Sequence, residues 1–86
     1  MTIDFSNSSK DEIITFYKNI SQRIYTLRTQ KNITQLDLAL DIGIKSVAFY
    51  SNCENNRYNK HFNLEHLYKI AKALDVEFCE FFKEHQ

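Results

Sequence analysis

The chain has no proline, no tryptophan and one glycine, Gly43, in 86 residues. An all-β fold needs turn residues every ~8–12 positions, and too few are present to supply them. The same shortage removes the glycine-rich loops that cradle nucleotide phosphates, and with them the small enzymes built on such loops. Net charge is missing too. The 11 basic and 11 acidic residues cancel, so the chain as a whole does not attract a polyanion. No apolar run approaches the ~20 residues that span a bilayer. Met1-Thr2-Ile3-Asp4-Phe5-Ser6 lacks the basic and apolar stretches of a secretion signal, and the expectation is a soluble cytoplasmic protein without a membrane partner. Only two cysteines occur, Cys53 and Cys79, with no second ligand at metal-site spacing. His61 and His66 are five apart, off the i, i+3 and i+4 separations that share a helix face. Buried or half-buried thiols in a reducing compartment are expected, with no metal, cofactor or small-molecule ligand.

What is present is helical periodicity. Hydrophobic residues make up 43% and aromatics 14%, enough for one small domain that buries about 60–65% of its unfolded surface. Residues 1–8 read as a flexible arm. Ser9-Lys10-Asp11-Glu12 fits a reciprocal capping box. Ile13, Phe16, Tyr17, Ile20, Ile24 and Leu27 then recur every three or four positions, predicting one long helix from about Lys10 to Lys31. Thr34 can cap a second helix whose apolar side is Leu36, Leu38, Ala39 and Leu40, ended by Gly43. Ser46 can cap a third, with Val47, Tyr50 and Cys53 as inward positions. Asn55 to Asn59 is a polar loop. Asn63 caps a fourth helix with Leu64, Leu67, Ile70, Ala71 and Leu74 on one face, and a short fifth helix carries Val76, Phe78, Phe81 and Phe82. The fold class is all-α, and residues 9–86 form a single domain with an extended first helix.

Two short helices joined by a glycine turn, here about 34–42 and 46–55, have helix-turn-helix geometry, in which the second helix lies in the DNA major groove. Between Arg23 and Lys60, six basic residues stand against three acidic ones, so this middle is more basic than the ends. Thr34-Gln35-x-x-Leu38-Ala39-x-x-Ile42-Gly43-Ile44, Tyr50-Ser51-x-Cys53-Glu54-Asn55 and Leu64-x-x-Leu67-x-x-Ile70-Ala71-x-x-Leu74-x-Val76 resemble the Xre/Cro-repressor-like, or lambda-repressor-like, helix-turn-helix family over about Ile20 to Phe82. The resemblance implies a five-helix DNA-binding regulator, with Gln35 on the DNA backbone and often on a base, and Glu54 in a structural role.

The stretch from Gly43 to Glu54 is one residue longer than the family pattern. Counting back from Glu54 makes Ser46 the cap and Val47, Ala48, Phe49 and Asn52 the groove-facing set; counting forward from Gly43 pushes Lys45 and Ser46 toward the bases. The backward count keeps Tyr50 and Cys53 inward and is preferred. Asn52 can bond an adenine edge, and Phe49 either joins the core or meets a thymine methyl. Lys45, Arg57 and Lys60 suit phosphates, Ser51 and Asn55 can donate to phosphate oxygens, and Thr34 is counted with the DNA-binding set.

Phe78, Phe81 and Phe82 exceed what one short helix buries, and mark the expected homodimer interface. The expected activity is a non-enzymatic transcriptional regulator of double-stranded DNA, a repressor rather than an activator. The alternative is a protein-interaction module, antitoxin-like or a regulatory subunit, on the same fold. Enzymatic chemistry is not expected, because His61 and His66 have no nucleophile beside them and Cys53 faces inward.

Overall fold

The computed structural model describes residues 6–83. The chain folds into α1 (Lys10–Gln30), α2 (Gln35–Asp41), α3 (Val47–Asn55), a 3-10 turn at Arg57–Asn59, α4 (Leu64–Leu74) and a 3-10 segment at Phe78–Phe82. Four α-helices therefore stand where five were expected. The fifth is a 3-10 segment because it is five residues long, too short to repay α-helix nucleation. Most of the expected arm at residues 1–8 lies outside the described residues. Among those residues there is no strand, and no helix is long and apolar enough to cross a membrane.

Each helix starts where a short polar side chain can accept from an otherwise unpaired amide. The Ser9 hydroxyl accepts from Glu12 N–H, Thr34 from Asp37 N–H, and Ser46 from Phe49 N–H, each at 3.1 Å. The Ser9 box is half formed, since no bond returns from the Glu12 carboxylate. The reciprocal box belongs to α4 instead: Asn63 Oδ1 accepts from His66 N–H at 2.7 Å, and His66 Nδ1 accepts from Asn63 N–H at 3.1 Å. Burial keeps the His66 ring below the usual imidazole range, and the neutral ring is the form that can accept. The α2–α3 turn passes through Gly43 at φ +82°. Asn56 ends α3 in the same left-handed region, at φ 54°.

The core gathers Ile20, Ile24 and Leu27 from α1, Leu38 and Ala39 from α2, and Tyr50 and Cys53 from α3. Leu67, Ile70, Ala71 and Leu74 of α4 join them, with Phe81 from the terminal segment. Ile44 and Phe62, both in connections, are also buried there. Several residues expected inside are out. Leu36 and Leu40 are exposed, because seven residues of α2 turn only one flank inward, and that flank is Leu38 and Ala39. Leu64 opens α4 before the helix reaches the core and is exposed. Ile13 and Phe16 are exposed as well, because burial on α1 begins only at Ile20. Cys53 is buried as expected, but Cys79 is exposed, and both thiols are free.

The three terminal phenylalanines divide. Phe81 is 1% exposed and fills the core, which removes it from any subunit interface; Phe78 and Phe82 remain 40% and 44% exposed. Phe82 stacks on Phe16 of α1 with centroids 6.4 Å apart and touches Phe78 at 5.5 Å. Nearby, Arg23 Nε donates to the Glu80 carbonyl and its Nη2 to the Glu80 carboxylate, each at 3.2 Å, tying the segment to α1.

A Cβ added at Gly43 would meet nothing within 4 Å, so any cost of substitution there is torsional. Gly43→Ala is expected to lower unfolding stability in urea by about 1–2 kcal/mol, the cost of a left-handed L-residue. Gly43→Asn should lose less, because asparagine tolerates that region better.

Candidate nucleic-acid interface

The candidate interface is built around the inner side of α3. Tyr50 and Cys53 are fully buried, and Ser46 caps the helix. The register is therefore the one counted back from Glu54. Lys45 and Ser46 precede the helix as exposed linker residues.

Glu54, one residue past Cys53, lies on the same inward side and is buried. Its carboxylate receives Arg28 Nε at 3.0 Å and Arg28 Nη2 at 2.9 Å, the forked geometry in which guanidinium and carboxylate match best. Tyr50 Oη donates to it at 2.7 Å and Gln35 Nε2 at 3.1 Å. Arg28 Nη1 also donates to the Ile33 carbonyl at 2.7 Å. One carboxylate thus binds α1, the start of α2 and α3 together. Burial opposes its ionisation, but the bonds from Arg28, Tyr50 and Gln35 outweigh that and hold it below the usual carboxylate range. The Glu54 hydrogen bond raises Arg28, while burial, reinforced by Glu54, raises the Tyr50 phenol.

The outer side of α3 is left without a free charge. Val47, Ala48 and Asn55 are exposed, and Ser51 and Asn52 are half-buried. Asn55 Nδ2 donates back to the Ser51 carbonyl at 2.9 Å and hydroxyl at 3.3 Å. Its donors are thus engaged within the helix, contrary to the expectation that they are free for phosphate. Of the two places open to Phe49, core or thymine methyl, the structure takes the core. Phe49 packs there and meets the His66 ring edge-on at 6.1 Å, because it lies on the flank of α3 facing α4.

Around this face, Lys45, Arg57 and Lys60 are exposed and make no ion pair among the described residues. Arg57 and Lys60 flank a strained loop in which Tyr58 and Asn59 are both left-handed, at φ 54° and 59°. Asn56 Nδ2 braces that loop by donating to the Ser21 hydroxyl at 3.1 Å, the Cys53 carbonyl at 3.2 Å and the Lys60 carbonyl at 3.4 Å. His61 stacks on Tyr17 of α1 at 3.7 Å. Thr34 is exposed and Gln35 half-buried at the edge of the same face. Among the described residues, no group of three or more His, Cys, Asp or Glu side chains is placed to hold a metal ion.

Sequence reasoning missed Arg28, read only as one of the basic residues near the end of the first helix. Its partner Glu54 lies 26 positions away, so no local periodicity reveals the pair.

A braced helix, a glycine turn and a second helix with its polar side outward make a helix-turn-helix, the DNA-binding class of small α-helical domain. The helix-turn-helix family pattern matches residues 24–81, most of the chain, and the protein belongs to that Xre/lambda-repressor-like family. No curated protein and no solved structure matches the chain. Residues 10–23, the first half and more of α1, precede the matched region.

The buried pair sets an acid limit. A carboxylate whose folded pKa is depressed stabilises the fold above its unfolded value of ~4.3, and that stability is lost as pH falls through the lower folded value. Wild type is therefore expected to lose stability steeply below about pH 4 in urea titrations. Glu54→Ala should cost about 3–5 kcal/mol at neutral pH by stranding Arg28, whereas Arg28→Met with Glu54→Leu should cost far less.

Proposed function

We propose that the chain is a sequence-specific transcriptional repressor that reads the major groove with α3, acts in the cytoplasm as a homodimer, and uses residues 9–86 as its single DNA-binding unit. The observation that carries this reading is the complete use of the Glu54 carboxylate by Arg28, Tyr50 and Gln35. That pairing fixes α3 and neutralises the one acidic side chain that α3 carries. Val47, Ala48 and Asn52 then meet base edges, Asn52 as a bidentate partner of adenine. Lys45, Arg57 and Lys60 neutralise phosphates, and Thr34, Gln35 and Ser51 fix the register without carrying sequence information. Repression needs only occupancy of a site.

The homodimer reading is supported by the exposed cluster of Phe16, Phe78 and Phe82. Two copies joined there would present their α3 helices to half-sites about 34 Å apart on a pseudo-palindrome. A second reading, a protein-interaction module, draws on the net charge of zero and on the exposed Leu36 and Leu40 of α2.

Binding to random-sequence duplex DNA between about 50 mM and 200 mM salt separates the two readings. The repressor reading expects steep loss of affinity, with the log–log slope reduced by about 0.9 in Arg57→Gln and again in Lys60→Gln. A flat response, or no binding at low salt, would favour the interaction module. Sedimentation at tens of micromolar, a range set by ordinary weak association, should show a dimer that Phe78→Ser with Phe82→Ser converts to a folded monomer. A monomeric wild type, with and without selected DNA, would remove the homodimer.

A further inference from the structure

The part of α1 that precedes the family match does more than lengthen a helix. Ser21 Oγ donates to the Cys53 carbonyl at 3.2 Å and accepts from Asn56 Nδ2 at 3.1 Å, and Tyr17 stacks on His61. These contacts fasten α1 along the end of α3 and the loop beyond it. A shallow groove of about 520 Å³ results, lined by Lys18, Gln22 and Tyr25 of α1 and by Glu54, Asn55 and Asn56.

Lys18, Gln22 and Tyr25 fall at i, i+4 and i+7, so they form one stripe about 10 Å long. All three side chains are exposed. Lys18 has no hydrogen bond or ion pair among the described residues. Tyr25 rests its ring against the Arg28 guanidinium, 5.5 Å from the ring centroid, so its position is tied to the same buried ion pair that orients α3. The one acidic residue in the groove wall, Glu54, is fully engaged by Arg28, Tyr50 and Gln35. The acidic residues of α1, Asp11 and Glu12, lie in its first turn. The groove therefore carries one uncompensated charge, and it is positive.

We infer that the Lys18–Gln22–Tyr25 stripe is a second DNA-contacting surface, holding sugar-phosphate backbone alongside the segment read by α3. The occupant is a polyanionic strand rather than a protein because the one uncompensated charge of the wall is a cation, set beside an amide and a phenol that can both donate. A DNA strand carries one phosphate per ~3.4 Å of axis, so the stripe is long enough to follow more than one. The ammonium pairs with a phosphate oxygen, while the Gln22 amide and Tyr25 hydroxyl donate to its neighbours. Continuity with the outer side of α3 comes through Asn55, which belongs to both. This assignment rests on the DNA-binding reading above.

The test is the salt dependence of binding of the full chain to random-sequence duplex, compared across four variants. Lys18→Gln should shrink the slope by about 0.9, so that affinity becomes roughly 3.5-fold less sensitive to a rise from about 50 to 200 mM salt. Lys18→Arg should keep the wild-type slope, and Lys18→Glu should weaken binding further than Lys18→Gln. Lys72→Gln, at an exposed position of α4 away from the groove, should leave the slope unchanged, separating a local contact from net charge. Thermal midpoints should not move, since Lys18 and Lys72 are exposed. A slope unaltered by Lys18→Gln, or altered equally by Lys72→Gln, overturns the second surface while the repressor reading stands on Arg57. Absence of salt-sensitive binding by the wild type overturns both.

Discussion

The forked pair between Arg28 and Glu54 is the constraint on which the rest of the structure depends. Three helices meet at one carboxylate, and each reaches it from a different direction. Arg28 comes from α1, Gln35 from the start of α2 and Tyr50 from one turn earlier on α3. Burying two opposite charges is costly unless every lone pair and proton is used. Here both carboxylate oxygens are used and the guanidinium also meets the Ile33 carbonyl. Among the described residues no buried side-chain nitrogen or oxygen lacks a hydrogen-bond partner. Such a pair adds less to net stability than its Coulomb energy suggests. Its stronger effect is geometric, since α3 cannot rotate or slide without stranding a charge.

That fixed orientation divides α3 into two sides with different chemistry. Inward are an aromatic ring, a thiol and a neutralised carboxylate; outward are small or uncharged polar groups. Positive charge is confined to the ends, at Lys45 before the helix and Arg57 and Lys60 after it. The left-handed Tyr58 and Asn59 store backbone strain in that second group, of a kind that persists only where surrounding contacts over-determine it. The bonds from Asn56 and the Tyr17–His61 stack are those contacts.

Much of this was legible in the residue order. The caps Ser9, Thr34, Ser46 and Asn63 marked helix starts because their bonds are local, spanning three residues. Tyr50 and Cys53 marked the register of α3 because only one alignment places both inward. What was not legible depended on where helices end relative to the core. Ile13, Phe16, Leu36, Leu40 and Leu64 obey helical periodicity yet lie beyond the packed layer, and periodicity alone cannot show how far that layer extends. Phe62 and Ile44 were missed for the opposite reason, since they belong to connections with no period at all. Phe81 parted from Phe78 and Phe82 in burial, a division that no period within a five-residue segment indicates. The groove wall of Lys18, Gln22 and Tyr25 was hidden because its second half comes from α3.

The chain contains five tyrosines and no tryptophan, and one of those tyrosines is sealed inside the network with its hydroxyl on Glu54. Burial, with Glu54 adding to it, keeps the Tyr50 phenol protonated to well above its ordinary range. In alkali, phenolate absorbance from Tyr50 therefore arises only when the clamp on α3 opens. The molecule carries its own optical gauge of that opening, readable in the near ultraviolet without a dye or a label.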